Sequence, residues 1–277
     1  MKNFYIVLSV LVGAALVAGS AWAVSRTPVQ VIPSGRVVVI PENAAEVAPH
    51  IFSLGTAVDP ESGREVEGLM IVRYRRDYEK PPWAGGGKNG GRARNQCYAF
   101  LAKGAKWKSV EPWLVNAVNA EGLSDIFVRD NLMSDIAKWE SFGSADILGD
   151  GSLTSAPLSA DTDSPDGANE VYFGDIDSEG AIAVTVVWGY FSGPPKLREL
   201  VEWDQVYDQV DYDWSATGEP DKMDFENIAT HEIGHAVGMG HPDDSCIEET
   251  MYRYAGFGET KKRTLEAGDK AGIAELY

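Results

Sequence analysis

The chain has 277 residues, of which 44% are hydrophobic and 24% are charged. This length accommodates one or two domains with a packed core, and the composition excludes a disordered protein. The formal net charge of −18 argues against nucleic acid or an anionic membrane surface as a partner, because either would repel the protein.

The first residues are typical of a secretory signal peptide. Lys2 precedes an uncharged apolar run, and Ala21-Trp22-Ala23 fits a cleavage site after Ala23. The sequence therefore predicts that residues 1–23 are removed and that the protein is secreted to the extracellular side. The alternative is a retained membrane anchor that faces outside, because Phe4 to Val24 is a run of 21 uncharged residues, long enough to span a bilayer.

Residues 24–80 are predicted to form a small β-rich N-terminal unit. The β-branched run 36–40 indicates a short strand, and the runs 51–59 and 65–74 flank a turn-forming segment and indicate a hairpin. This unit is a candidate propeptide. Residues 81–94 follow it and are rich in proline and glycine, so they are predicted to be a linker that is open to proteolysis.

Residues 95–277 are predicted to form the larger domain. Val128 and Trp139 belong to an apolar stripe with helical spacing, for which Ser124 is the expected N-cap. The predicted elements are, in chain order, a strand at 107–118, a helix over 125–139, strands at 170–173, 181–190 and 200–207, a helix capped by Asp221 with Asp224 in its first turn, and a final helix over 266–276.

The segment from His231 to His241 has the pattern of a zinc site. His231 and His235 are four residues apart, so on a helix they project from one face. Glu232 is placed to take a proton from a water molecule that the metal activates, rather than to bind the metal. Gly238 can adopt a positive φ, end the helix and return the chain, so that His241 supplies a third imidazole. Three imidazoles leave one position of a tetrahedral zinc open, as in catalytic sites.

This segment resembles the metzincin signature H-E-x-x-H-x-x-G-x-x-H, and Thr250-Met251-Tyr252 looks like the Met-turn in its matrixin form. The C-terminal stretch 264–277 is similar to the final helix of matrixin catalytic domains, and the resemblance covers roughly residues 95–277. Pro242 departs from the matrixin pattern, which usually has serine or threonine there, and is more like the serralysins. The subfamily is therefore left open.

The resemblance implies an α+β fold. We expect a metzincin-like zincin catalytic domain, with a twisted mixed sheet, an active-site helix and a C-terminal helix, preceded by the small β-rich N-terminal unit. A protein or peptide substrate would lie extended along an edge strand, for which Ala181 to Trp188 is the candidate. His50 lies outside the expected catalytic domain, so only one zinc ion is expected.

The resemblance also implies an exported zinc endopeptidase. His231, His235 and His241 would be the ligands of one catalytic Zn²⁺, Glu232 the general base and Met251 a floor beneath the metal. Two alternatives remain at this point, a non-catalytic metzincin-fold binding or adhesion protein and a zinc hydrolase for a non-peptide substrate. The oligomeric state is not predicted.

Cys97 and Cys246 are the two cysteines of the chain. In an exported protein they are expected to form a disulfide bond. The alternative is a cysteine switch like that of matrixins, in which the Cys97 thiolate would occupy the open zinc position. A switch would leave Cys246 without a partner, and the residues around Cys97 lack the matrixin switch pattern.

Carboxylates are concentrated between Glu202 and Glu226, where nine acidic residues accompany the single base Lys222. Such a run is typical of a solvated surface, and in an exported protein it can also bind calcium. Neither this run nor residues 161–167 have the spacing of a dedicated calcium loop. Ca²⁺ is therefore a secondary prediction.

Overall fold

The computed structural model describes residues 37–41, 44–78 and 96–277. The predicted signal peptide, residues 1–23, and the predicted linker, residues 81–94, lie outside the described residues. Within the described residues no helix combines the length and the apolar character needed to cross a membrane.

The described residues form an α+β structure. The helices are α1 (Asp125–Gly143), α2 (Phe225–Ala236) and α3 (Ala267–Leu276), with 3₁₀-helices at Pro195–Leu197 and Lys261–Arg263. The strands are β1 (Val38–Val39), β2 (Glu46–Ala48), β3 (Ile51–Val58), β4 (Glu65–Arg75), β5 (Ala99–Phe100), β6 (Glu111–Asn116), β7 (Leu148–Leu153), β8 (Glu170–Gly174), β9 (Ile176–Asp177), β10 (Ala181–Tyr190), β11 (Glu199–Asp208), β12 (Trp214–Ser215), β13 (Met223–Asp224), β14 (Met239–Gly240) and β15 (Tyr254–Ala255).

One mixed sheet organises the described part of the chain. Its strand order is β2-β3-β4-β10-β11-β8-β6-β7, and β15 pairs with β4 beside this path. The strands β11, β8, β6 and β7 run parallel to one another, whereas β10 is antiparallel to both β11 and β4. A mixed sheet with a helix that carries the histidine motif and a C-terminal helix is the predicted fold, and the structure confirms it.

The helix α1 confirms the prediction from its apolar stripe. Ser124 is the N-cap, and its side chain accepts a hydrogen bond from the backbone of Phe127. Val128, Leu132 and Trp139 are buried. Packing of this stripe onto the sheet, and not intrinsic helix propensity, is what stabilises such a helix.

The side chains of β4 and β10 alternate between two apolar layers, as the pleat of a strand requires. Ile71 and Val187 face the layer that contains the helices, while Val72 and Val184 face a second layer on the opposite side of the sheet. Strands that are covered on both faces have long apolar runs. This explains why β10 is buried along almost its whole length.

The predicted hairpin of residues 51–59 and 65–74 is present as the antiparallel pair β3 and β4. β4 continues the sheet, because it also pairs with β10 from Glu67 to Tyr74. The expectation that Ala181 to Trp188 forms an edge strand is therefore wrong. A separate N-terminal unit stays a prediction, and within the described residues its two long strands are part of the same sheet as β10.

Candidate metal centre

The helix α2 is held in the core at its beginning and along its length. Its N-cap is Asp224, whose side chain accepts from the backbone N–H of Asn227 at 3.0 Å and pairs with Arg263 at 2.8 Å. The prediction that Asp221 caps this helix is wrong, because the chain forms the short strand β13 before the helix begins. All residues of α2 except Glu226 are buried.

Gly234 lies between the first two histidines of the motif. A Cβ atom at this position would be 2.3 Å from the sulfur of Met251 and 2.7 Å from the ring of Trp139. Only glycine lets these side chains approach the helix so closely. Met251 therefore packs directly against the turn of α2 that carries His231 and His235, as expected for a residue beneath a metal.

Gly238 ends the helix as the sequence predicts. Its φ is +98°, and its N–H donates to the backbone oxygen of His235 at 2.9 Å. An added Cβ atom would lie 2.9 Å from the backbone oxygen of Ala105. The turn at Gly238 reverses the chain and brings His241 back beside the helix.

The three histidines of the motif converge on one point through their Nε2 atoms. The Nε2 atom of His235 is 3.0 Å from that of His231 and 3.1 Å from that of His241, and the third distance is 3.3 Å. Two nitrogen ligands at tetrahedral angles around a zinc ion lie roughly 3.3 Å apart, given the usual zinc–nitrogen distance of about 2.0–2.1 Å. The spacing of the three atoms therefore fits zinc.

The opposite ring nitrogens define the tautomers. The Nδ1 atoms of His231, His235 and His241 contact the backbone oxygens of Thr250, Met239 and Pro49 at 2.6, 2.9 and 3.0 Å, respectively. A carbonyl oxygen can only accept, so each Nδ1 carries the proton and each Nε2 presents a lone pair. Three lone pairs at this distance repel one another unless a cation lies between them.

Burial keeps these imidazoles neutral. It lowers the pKa of His235 to about 3, and it lowers the pKa values of His231 and His241 well below their ordinary value. Neutral imidazole is the form that binds metal. The protonation state, the tautomers and the geometry thus fit a metal ion with three nitrogen ligands.

Glu232 is buried next to this point. Its Oε2 atom accepts a hydrogen bond from Thr185 Oγ1 at 2.7 Å, while Oε1 lies 4.0 Å from Nε2 of His231. Within the described residues Oε1 has no hydrogen-bond partner. Burial raises the pKa of Glu232 to about 7, although the Arg73 charge and the Thr185 hydrogen bond act in the opposite direction. The carboxylate is thus oriented by one oxygen and free to act with the other.

The Met-turn is attached to the last helix through Asp269. The carboxylate of Asp269 accepts from the backbone N–H groups of Thr250 and Met251 at 2.7 and 3.1 Å. It also accepts from Glu266, the N-cap of α3, at 2.9 Å. Because the Thr250 oxygen receives the Nδ1–H of His231, α3 helps to orient a candidate metal ligand.

The structure has the predicted disulfide bond between Cys97 and Cys246. It connects the first described residues after the linker with the loop between His241 and Met251. Both sulfurs are engaged in this bond, so neither is a metal ligand here.

Residues 193–277 match the family model described as Matrixin. This segment is therefore similar to the matrixin family. A stretch of 56 residues is 41% identical to Metalloendoproteinase 1-MMP of Arabidopsis thaliana and covers 20% of this chain and 14% of that protein. A stretch of 55 residues is 40% identical to Matrilysin of Homo sapiens and covers 20% of each chain. The chain therefore matches well under two thirds of the length of either relative.

The matrixin segment contains all the residues predicted to act at the zinc, but Thr185 and Pro49 come from outside it. Thr185 lies on β10, and Pro49 lies in the turn before β3. Sequence reasoning missed both, because one is a threonine within an apolar strand and the other contributes only a backbone oxygen. It also missed Asp269, for which the capping pattern at the start of α3 was the available signal.

His50 lies close to His241, although it precedes the predicted catalytic domain in the sequence. Its ring is 6.1 Å from the ring of His241 and lies between those of Tyr74 and Tyr254, at 4.9 and 5.0 Å. The three motif histidines and Glu232 are between 0% and 8% exposed. The N-terminal strands therefore help to enclose the metal centre.

A second group of acidic side chains lies on the sheet. Ligand atoms of Asp161, Glu202 and Asp204 are within 4.8 Å of one another. Both oxygens of Asp204 accept backbone N–H groups, from Asp161 at 2.9 Å and Glu170 at 3.1 Å. Four residues of the predicted acidic surface are in fact buried: Glu202, Asp204, Asp208 and Asp224.

Proposed function

We propose that the chain is a zinc-dependent endopeptidase that hydrolyses peptide bonds in a protein or peptide substrate. The observation that carries the proposal is the convergence of three Nε2 lone pairs at 3.0–3.3 Å, with an unengaged carboxylate oxygen of Glu232 beside them. The matrixin match supports the same class of reaction. His231, His235 and His241 would hold one zinc ion.

Each protein group has a distinct role in this proposal. Zinc would supply Lewis-acid chemistry, which polarises the scissile carbonyl group and makes water acidic enough to react near neutral pH. Thr185 holds Oε2 of Glu232, so Oε1 is available to accept a proton from the attacking water and to deliver it to the leaving amine. Met251 supports the helix from below, through its contact at Gly234.

The first prediction concerns Glu232. In Glu232→Gln the side chain keeps its size, and Thr185 can still donate to the amide oxygen, but the general base is lost. We expect zinc binding to persist and the kcat for an unstructured protein substrate to fall by about 10²- to 10⁴-fold. Metal analysis and a cleavage assay with and without a chelator measure the two properties.

The control is Glu226→Gln, which changes a carboxylate on the first turn of the same helix, next to Lys138 and Arg263. It should change the cleavage rate by less than about threefold, because surface ion pairs contribute little. If the zinc-loaded Glu232→Gln chain cleaved the substrate at the wild-type rate, Glu232 would not be the general base.

The second candidate function is a non-catalytic binding or adhesion protein with a metzincin fold. The enclosure of the metal centre favours it, because a substrate cannot reach side chains that are 0–8% exposed. Stoichiometric zinc without chelator-sensitive cleavage, in every form of the chain in which the centre is accessible, would support this alternative.

Export of the chain is part of the proposal. It rests on the signal-like residues 1–23 and agrees with the Cys97–Cys246 bond, because disulfides persist in oxidising compartments. A secreted chain that begins at Val24 would support export, whereas a chain that keeps Met1 would support the membrane anchor. Calcium binding stays a prediction, for which the acidic group around Glu202 is the place to look.

A further inference from the structure

β4 pairs with other strands along both of its edges. On one side it pairs antiparallel with β10, and on the other side its last residues, Tyr74 and Arg75, pair in parallel with β15, just after the Met-turn. Arg76 continues this ladder, because its N–H donates to the oxygen of Ala255 at 2.9 Å. An extended peptide bound between β10 and β15 would form these two ladders, and the chain's own residues already form them.

The turn before β3 closes the same region. The backbone oxygen of Pro49 accepts the Nδ1–H of His241, and the oxygen of His50 accepts the N–H of Val72 at 3.0 Å. His241 is thus bonded to the turn that leads into β3, and the same turn is bonded to β4.

Arg73 is the residue of β4 that lies nearest to the chemistry. It pairs with Ala183, two residues from Thr185, and its side chain is fully buried. Among the described residues none of its three guanidinium nitrogens has a hydrogen-bond partner. Its charge interacts with that of Glu232 and lowers the pKa values of the motif histidines.

A buried guanidinium group without hydrogen bonds is costly, because it has lost its hydration without replacement. Ile71 and Val72, its neighbours on β4, are ordinary buried core residues. β4 is therefore packed like an ordinary core strand except at Arg73. If the strand left this position, water could hydrate the Arg73 guanidinium group again. This is the property of a segment that can be displaced, in contrast to a permanent core strand.

On the basis of the endopeptidase function proposed above, we propose that β4 occupies the substrate-binding strand position along β10 and keeps the enzyme latent until the β3–β4 hairpin leaves. The inhibition acts through backbone pairing and steric cover. It requires no cysteine ligand, because both cysteines are joined to each other.

The covalent structure permits this release. The chain contains two cysteines, and their bond links Cys97 with Cys246, so no disulfide ties the hairpin to the rest. A cut in the proline- and glycine-rich residues 81–94 leaves the hairpin attached only by non-covalent contacts. An extended substrate that competes for β10 would then displace it, in the manner of strand addition.

A disulfide lock tests the proposal in the full chain. The N–H of Val72 points to His50 and not to β10, so Val72 and Val184 form a pair without mutual hydrogen bonds. The Cα atoms of such a pair are about 4.5 Å apart, which suits a disulfide bond. The double variant Val72→Cys/Val184→Cys therefore fixes β4 on β10.

The matched control is Val58→Cys/Glu65→Cys, a pair near the turn of the hairpin, both of whose members are exposed. This lock joins β3 to β4 and leaves the hairpin free to depart as a unit. Both oxidised variants, and the unmodified chain, are loaded with zinc, cut within residues 81–94 and assayed on an unstructured protein. Equal zinc content shows that both locked chains are folded.

We expect the β4–β10 lock to lower cleavage at least tenfold, and the hairpin lock to leave it within twofold of the unmodified chain. A second readout is the rate at which a chelator removes zinc, which should also be at least tenfold slower in the β4–β10 lock because the centre stays covered. Equal cleavage and equal zinc release in the two locked chains would overturn the latency, with the endopeptidase function intact. If zinc release is slower in the β4–β10 lock but none of the chains cleaves the substrate, β4 does cover the metal centre and the proposed endopeptidase function is wrong.

Discussion

At the residue scale, the metal centre depends on positions that carry no reactive group. Gly234 allows Met251 and Trp139 to contact α2, and Gly238 turns the chain at a φ of +98°. The backbone oxygens of Thr250, Met239 and Pro49 orient the three imidazoles. The histidines supply the ligand atoms, while these surrounding groups determine that the atoms meet at one point.

Gly234→Ala tests this dependence. The added methyl group would lie 2.3 Å from the sulfur of Met251 and 2.7 Å from the Trp139 ring, so the side chains or the helix must shift. Overpacking of a core costs about 1–3 kcal/mol. We expect the free energy of unfolding to fall by that amount, together with weaker zinc binding, in denaturant titrations with and without zinc.

Gly256→Ala is the matched control, because an added Cβ atom there meets nothing within 4 Å and no positive φ is involved. Its stability should stay within about 0.5 kcal/mol of the wild type. Equal effects of the two substitutions would mean that the contact at Gly234 is not what constrains the helix.

The convergence of the three histidines could be predicted from sequence, because their geometry is local. His231, Glu232 and His235 lie on one helical turn, and a single glycine brings His241 back. Thr185 could not be predicted in this way, and the capping pattern of α3 marks Asp269 only as a helix cap, since both reach the site from distant elements, β10 and α3. Their contribution depends on the tertiary fold, which no local spacing encodes.

At the element scale, the sequence predicts helices and strands correctly where one face of the element is apolar. The stripe of α1 and its Ser124 cap were readable, whereas β7 was missed because Gly149 and Gly151 are typical of a turn. A Cβ atom at Gly151 would be 2.3 Å from the ring of Trp113. Glycine is therefore required within this strand by the close approach of a tryptophan.

The strand β11 carries a pH-dependent element of stability. Burial raises the pKa of Glu202 to about 8 and, with the charge of Glu202, raises that of Asp204 well above its ordinary value. Between the unfolded pKa, about 4.5, and about 8, the folded state holds protons that the unfolded state has released. Stability from these groups therefore falls as the pH rises from 5 to 8.

Urea titrations of the wild type and of Glu202→Gln at pH 5, 6.5 and 8 measure this effect. Glutamine stays neutral, so the variant should gain stability over the wild type as the pH rises. Zinc loss at low pH affects both chains equally, so the difference in stability between the two chains is the relevant quantity. A difference that is constant with pH contradicts the raised pKa of Glu202.

If calcium binds the Asp161, Glu202 and Asp204 group, added Ca²⁺ at pH 8 will stabilise the wild type more than the variant.

At the scale of the whole molecule, the sheet combines two parts of the sequence that composition separates. The proline- and glycine-rich residues 81–94 suggested a division, yet β4 before it pairs with β10 more than 100 residues later. Alternating apolar residues predict that a strand exists and which face it buries, but they do not name its partner. The pairing of β4 with β10 was for this reason outside the reach of the sequence.

The Cys97–Cys246 bond makes the second long-range connection, across a separation of 149 residues. It restrains the loop that leads from His241 to Met251, so its loss should affect both global stability and the metal centre. For Cys97→Ser/Cys246→Ser we expect the free energy of unfolding to fall by about 2–5 kcal/mol, chiefly because the unfolded chain is no longer constrained.

Guanidinium titrations of the two zinc-loaded chains measure this loss. Reductant should lower the stability of the wild type and leave the double variant unchanged, which separates the bond from side effects of serine. An unchanged midpoint in the double variant would show that the enclosed sheet, with β4 in place, holds both ends of this loop without the disulfide. In that case the bond would matter only after the β3–β4 hairpin leaves, and the same titration on the cut chain would reveal it.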